Sequence, residues 1–211
     1  MLSVACASLC NIPDQGFTNA CAGFTFSRLL HCAGVDCSPM WAYYVGRVSE
    51  GTIDKDDGIT HYGAKSGLEE MGVVGRDTWP VSRGIMPDDN FIYNLRPSPL
   101  TVGIVVQETM GAEQLQGLLR SDRAVGVVVR TVKSVDDFLL NPESYASILA
   151  RVSDLDSDVN VGHSALITGY DNGVYKLTNS HGMSSGVRGH FMITEALMHN
   201  ERLASQFAYI A

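Results

Sequence analysis

Cys21 stands six positions after Gln15, in the stretch "DQGFTNACAGF". A polar, glycine-bearing loop gives way there to a helical pattern, and the thiol falls at the joint. A helix N-terminus carries unpaired N–H groups and a partial positive charge. Both stabilise a thiolate, the reactive form of cysteine. Such a nucleophile needs a base, and the base needs an orienting group. Of six histidines, His163 lies in "VGHSALITGY", at the head of a strand that opens a hairpin. The returning strand ends at Asn179. The two can therefore be neighbours, with the amide oxygen accepting an imidazole N–H. Singly, each residue also fits a structural role: a packing thiol, a satisfied edge histidine, a capping asparagine.

These groups must be carried by elements, and the sequence marks most of them. From Cys21, apolar residues at Phe26, Leu29, Leu30 and Ala33 follow a helical stripe, predicting an amphipathic helix. Ser38 followed by Pro39 is an N-cap with proline in the first turn, opening "MWAYYVGRV". Met40, Trp41, Tyr43 and Tyr44 are expected to be core or inter-helix contacts there. Thr60 can cap "HYGAKSGLEEM", which Gly72 would stop. Past residue 98 the texture changes. "LTVGIVV" and "AVGVVVR" are β-branched runs around a helical "AEQLQGLLR". A polar loop near 153–160 precedes "HSALITGY" and "VYKLTNS", joined by the hairpin signal Asp171-Asn172-Gly173. "GHFMI" and "SQFAYI" read as two further strands. A helical half, about 1–98, thus precedes a strand-rich half, about 99–211. That order predicts an α+β fold of two lobes with a cleft between them.

The 211 residues are 45% hydrophobic, enough to bury a core, with a net charge of −8. No Lys/Arg run is present, so nucleic acid is not an expected partner. No apolar run reaches about 18 residues, so no membrane span is expected. The N-terminal stretch lacks a basic start and a long apolar run and does not read as a signal peptide. The five cysteines, Cys6, Cys10, Cys21, Cys32 and Cys37, are odd in number. Reduced thiols are expected rather than a disulfide framework. Neither Cys6 with Cys10 nor His31-Cys32 with Cys37 has the paired spacing of a zinc module, so no metal and no cofactor is expected. His31, His61, His190 and His199 are expected to be surface or satisfied residues, and Asp56-Asp57 a solvated loop.

Taken together and in order, these features resemble the papain-like cysteine peptidases. "DQGFTNACAGF" is similar to the family's Gln-Gly segment leading to the nucleophilic cysteine. "GHSALITGY" matches the strand of the catalytic histidine. "LTNSHG" followed by "SGVRGHFMI" matches the Asn-Ser-Trp-Gly segment and the glycine-rich strand after it. "GITHYGAKSGLEEMGVVGRDTWPV" matches the helix and turn leading to a Tyr-Pro pair, here Trp79-Pro80. The matches run from about residue 12 to 193. The resemblance implies a papain-like two-lobed α+β fold. Its N-terminal lobe would be helical and its C-terminal lobe antiparallel and β-barrel-like, with the active-site cleft between them. It implies Cys21 as nucleophile, His163 as base, Asn179 as orienting residue, and Gln15 with the Cys21 N–H as the oxyanion hole. Gly58, Ile59, Ser164 and His181 would line the substrate groove.

The departures from that pattern also carry expectations. A disulfide of the family would join positions here occupied by Thr18 and Asp56. The loss of both partners points to a reducing compartment, or to a microbial or viral member delivered into a cell or packaged in a particle. Ile59 replaces a glycine whose backbone faces substrate, which bears on cleft width and specificity. Ala22 and His181 replace tryptophans, and a smaller polar ring at 181 would admit water to the Asn–His bond. With 20 residues ahead of Cys21, no long inhibitory pro-segment is expected within the chain. The implied activity is peptide-bond cleavage through an acyl-enzyme, on a peptide or protein substrate. The alternatives are a papain-fold amidase, isopeptidase or acyltransferase, and a non-catalytic member serving as a binding or structural component of a larger assembly.

Overall fold

The computed structural model describes residues 2–5, 12–83, 89–131 and 161–211. The loop near 153–160, Cys6 and Cys10 lie outside them. Three helices come first: α1 (Cys21–Cys32), α2 (Pro39–Glu50) and α3 (His61–Met71). Their ends are set by the residues the sequence marked. The buried Ser38 hydroxyl oxygen accepts from the N–H groups of Met40 and Trp41, at 3.2 and 3.3 Å. Thr60 Oγ1 accepts from Gly63 N–H at 3.0 Å. Gly72 ends α3 with φ +76°, a backbone angle that costs glycine least. Helix α1 is not the one-sided helix that its stripe predicts. Every residue from Ala22 to Leu30 is buried, including Thr25, Ser27 and Arg28. The cause is its position: α2 and α3 pack on it from one side and the sheet from the other. Its polar side chains find partners there, as where Ser27 Oγ donates to Cys37 O at 2.6 Å. At the α1–α2 crossing a Cβ on Gly23 would fall 2.5 Å from Pro39 O, so glycine sets how closely the two helices approach.

Met40, Trp41 and Tyr43 are buried, as expected of core contacts, and Tyr44 packs against that core. Trp41 and Tyr44 stack with ring centroids 5.7 Å apart, and both meet Trp79. A short helix, α4 (Asp89–Asn94), follows; it was not anticipated from the sequence.

The strands are β1 (Leu2–Ser3), β2 (Ile104–Gln107), β3 (Val125–Thr131), β4 (Val161–Asp171), β5 (Val174–Thr178), β6 (His190–Thr194) and β7 (Ala204–Ile210). Helices α5 (Ala112–Arg120) and α6 (Glu195–Met198) interrupt them. All pairs are antiparallel, in the order β2-β7-β3-β4-β5-β6, with β1 on β4. Strands β4 and β5 form the anticipated hairpin. Asp171 pairs with Val174, and Asn172 and Gly173 take φ +48° and +80°, the left-handed turn that fits strand twist. Among the described residues the path ends at β2 and β6 without closing, so the expected barrel-like lobe is an open antiparallel sheet here. The chain's first residues also break the helical-first order, because Leu2 and Ser3 pair with Tyr170 and Gly169. No described helix is long and apolar enough to cross a membrane.

The expectation of reduced thiols needs correction. Cys32, the last residue of α1, is disulfide-bonded, while Cys21 and Cys37 are free. An odd cysteine count is no bar to one bridge beside free thiols. The lost pair at Thr18 and Asp56 therefore does not by itself argue for a reducing compartment.

Candidate active site

Cys21 is the first residue of α1, and its N-cap, Ala20, has no polar side chain to bond the free N–H groups. The half-buried sulfur accepts a hydrogen bond from Ser164 N–H at 3.4 Å. Strand β4 supplies that donor, and the residue before it is His163. The N–H groups of Ser164, Ala22 and Cys21 all pull the thiol toward ionisation. Burial opposes them, with a smaller push from the negative charge of Asp56, and the net effect raises the thiol above its ordinary value.

His163 is 2% exposed, and its Nε2 lies 2.8 Å from Asn179 Oδ1. Antiparallel pairing of β4 with β5 makes this meeting, since Leu166 opposite Thr178 leaves the two side chains at the same end of the hairpin. Asn179 is held on every side. Its Nδ2 donates to Ser185 Oγ at 3.0 Å, and its Oδ1 also accepts from Ser180 N–H at 2.8 Å. Its own N–H donates to Gly189 O at 2.9 Å, and Arg28 Nη1 donates to its carbonyl at 3.0 Å. The amide orientation is therefore fixed with oxygen toward the imidazole. An oxygen only accepts, so Nε2 carries the proton and Nδ1 keeps the lone pair. Burial, with some help from the neighbouring His181, lowers the His163 pKa to about 4, against the bond to Asn179.

Gln15 is buried and its amide is fixed at both ends: Nε2 donates to Thr18 O, and Oε1 accepts from Ser180 Oγ. Its backbone N–H donates to Ser180 O at 2.7 Å, so the loop before α1 is bonded to the segment after Asn179. The bridge between Asp14 and His181 extends that join. The His181 ring lies 5.7 Å from that of His163 with 31° between their planes. Gly58 takes φ +82°, and its N–H donates to Tyr43 Oη at 3.2 Å. Ile59 turns toward α2: a Cβ on Gly46 would lie 2.5 Å from Ile59 Cδ1. A groove of about 730 Å³ joins these groups. Its lining includes Gln15, Cys21, Gly58, Ile59, His163, Ser164 and His181, and three carboxylates, Glu50, Asp56 and Asp57. Asn179 stands behind His163, out of the groove. A volume of that order suits a ligand-binding cleft.

Solved structures with this arrangement of chain are known. The backbone is similar to that of xylellain, a cysteine protease from Xylella fastidiosa, with a TM-score of 0.70 and 18% identity over 95% of this chain and 82% of that one. The fold is papain-like. It is likewise similar to digestive procathepsin L 3 of the Tenebrio molitor larval midgut (TM-score 0.67, 19% identity, 100% of this chain and 70% of that one). A third likeness is to the Carica candamarcensis cysteine protease CMS1MS2, solved in complex with E-64 (TM-score 0.66, 14% identity, 95% and 92%). No protein-family model matches the chain, and no curated protein sequence matches it.

Within this papain-like frame, sequence reasoning passed over two groups. The first is His61, read there as a surface or satisfied residue. It is wholly buried at the start of α3, and its Nε2 lies 2.7 Å from Ser164 Oγ. The second is the tie at the position of the lost disulfide. Asn19 N–H donates to the Asp56 carboxylate at 3.1 and 3.3 Å, Asn19 Nδ2 donates to Asp56 O, and Tyr43 Oη donates to Asp56 Oδ1. Asp56 is therefore an anchored carboxylate and not the solvated loop residue expected. The remaining histidines have ordinary partners: His31 meets Arg76, His190 meets Thr178, and His199 donates to Met110 O.

Proposed function

We propose that this chain is a thiol peptidase that cleaves peptide bonds with Cys21, His163 and Asn179. The reading rests chiefly on one observation: the residue after His163 donates its N–H to Cys21 Sγ, while Asn179 Oδ1 holds the His163 imidazole by Nε2. In the mechanism, His163 Nδ1 takes the proton of Cys21 Sγ as the sulfur attacks a peptide carbonyl. The oxyanion that forms receives the Cys21 N–H and the second N–H of the Gln15 amide, whose first is taken by Thr18 O. Removing one such donor commonly costs about 3–4 kcal/mol at the transition state. The His163 imidazolium then gives its proton to the leaving amine. A water, deprotonated by the same nitrogen, releases the acyl group from sulfur.

The whole chain is read as one peptidase unit with lobes near 1–98 and 99–211, the first residues reaching across to β4. Among the described residues the groove carries Glu50, Asp56 and Asp57 and no Lys or Arg, which favours substrates with cationic side chains. The test is cleavage of a peptide library by the wild type and by Cys21→Ala, together with labelling by a peptide-like electrophilic thiol reagent. Cleavage and labelling of Cys21 in the wild type, with both lost in the variant, are expected. Cleavage that survives Cys21→Ala, or a folded wild type that neither cleaves nor labels, overturns the reading.

A further inference from the structure

His61 sits in the interior with no exposed surface, edge-on to Phe26 at 5.2 Å between ring centres. Gly126 makes room for it, since a Cβ there would fall 3.4 Å from His61 Cε1. Its backbone N–H donates to Gln206 Oε1 at 2.9 Å. An apolar side chain would fill this space without burying a polar atom. The imidazole instead buries Nδ1, which makes no hydrogen bond of good geometry among the described residues, although the Gln206 backbone lies near enough to the ring to favour its charged form. That arrangement is unfavourable by itself, so the other nitrogen has to account for the residue.

Nε2 lies 2.7 Å from Ser164 Oγ, and Ser164 Oγ donates to Thr25 Oγ1 at 2.8 Å. A hydroxyl has one proton, and Thr25 takes it, so His61 Nε2–H must be the donor to Ser164. The bare nitrogen is then Nδ1, in agreement with the lack of a well-formed bond there. Ser164 is clamped from two directions, by α3 through His61 and by α1 through Thr25. Its backbone N–H is the group that meets Cys21 Sγ at 3.4 Å. Thr25 lies one turn along α1 from Cys21, so the clamp ties Ser164 to the helix that carries the sulfur.

We propose that His61 is a positioning residue for Cys21: through its Nε2–H bond to Ser164 Oγ it holds the Ser164 N–H on the sulfur as negative charge develops there. This rests on the reading of Cys21 as a nucleophile. It assigns no contact between His61 and substrate. The groups that act on the sulfur are the N–H groups of Ser164, Ala22 and Cys21, the charge of Asp56, and His163, which the mechanism above makes its base. His61 acts on the first of these alone.

The experiment is the rate of Cys21 alkylation by iodoacetamide against pH, followed by peptide mass spectrometry so that other thiols do not contribute. Wild type, His61→Leu, Ser164→Ala, the double variant and His61→Gln are compared. Each of the first two single changes should slow alkylation at pH 7 by about three- to tenfold and move the midpoint upward, because a donor to the thiolate is loosened. The double variant should be no slower than the worse single one, since both cut the same path. Gln can present an N–H near the imidazole Nε2 and should recover most of the rate. A profile unmoved in His61→Leu and Ser164→Ala, or losses that multiply in the double variant, would overturn the proposal. If His61→Leu does not fold, Ser164→Ala against His61→Gln decides it, with an unmoved profile in Ser164→Ala counting against. Alkylation needs no peptide cleavage. A wild type that alkylates normally but cleaves nothing would sink the peptidase reading and leave this one standing.

Discussion

Asn19 and Asp56 are joined through both backbone and side chain: the Asn19 N–H meets the Asp56 carboxylate, and the Asn19 amide meets the Asp56 carbonyl. Tyr43 adds a third donor from α2. This cluster binds the loop before Cys21 to the segment before Gly58, the join that the family pattern makes with a disulfide near the same place. Asp56→Ala would leave the Asn19 N–H and the Tyr43 hydroxyl without their acceptor. A loss of about 1–3 kcal/mol in unfolding free energy is expected, measured by urea denaturation. Activity should fall further than stability requires at a temperature where the variant is fully folded, because the loop also carries Gln15. Unchanged denaturation and turnover would show that the cluster holds nothing in place.

Ile59 tolerates its position because Gly46 has no side chain. The 2.5 Å separation between a Gly46 Cβ and Ile59 Cδ1 is far inside contact distance, so Gly46→Ala must move the isoleucine. The free direction is the groove that Ile59 already lines. KM for a peptide should rise severalfold with little change in kcat. Gly46→Ala combined with Ile59→Gly should return KM to the wild-type value. Steady-state kinetics on one fluorogenic peptide reads both. The expected bearing of Ile59 on cleft width is thus largely met from α2, a pairing invisible in sequence because residues 46 and 59 lie on different elements.

What could be read in the sequence was local. Ser38, Thr60 and Gly72 act on the residues next to them, and each caps the helix expected of it. Asn172-Gly173 turns the chain within two residues, and the hairpin it starts, with a register shift between Ile167 and Gly169, brings His163 to Asn179. What could not be read was long-range. The two-residue β1 has no pattern of its own and exists because β4 offers an edge. The polar residues of α1 look exposed in sequence and are buried because Asn179, Ser164 and Cys37 arrive to meet them. His61 gives no local sign of the serine that lies 103 positions later.

The two wholly buried imidazoles make stability depend on pH. His61 and His163 are each lowered to about 4 by burial, against an ordinary 6.5. Below 6.5 the unfolded chain takes up protons that the native chain refuses. Stability is therefore fully present above about 6.5 and declines as pH falls toward 4. Each imidazole contributes at most about 3 kcal/mol to that loss by the lower end. Urea midpoints measured at pH 7 and pH 4.5 should differ accordingly, and His61→Gln should flatten the slope. For the same reason the base His163 keeps its lone pair in mild acid. The acid limb of kcat/KM should lie near pH 4, well below the limb of an ordinary imidazole, and a limb near 6.5 would contradict the buried site.

Electrostatics of the groove gives the last test. Among the described residues Glu50, Asp56 and Asp57 line it without a Lys or Arg, and the chain carries a net charge of −8. Glu50 and Asp56 are held in place, the former by the Thr60 N–H at 3.0 Å and the latter by Asn19 and Tyr43, so their charges are fixed relative to Cys21. Fixed charges along a cleft raise the local concentration of a cationic substrate and its rate of capture, and salt screens them. Peptides that differ only in Lys or Glu near the cleaved bond should therefore separate in kcat/KM, the Lys peptide being favoured. Raising ionic strength from about 0.05 to 0.5 M shortens the screening length about threefold, and the preference should shrink severalfold. Asp57→Asn touches the exposed carboxylate alone and should reduce the preference without moving the cleavage of a neutral peptide. A preference that is indifferent to salt would assign the discrimination to direct contacts in the groove.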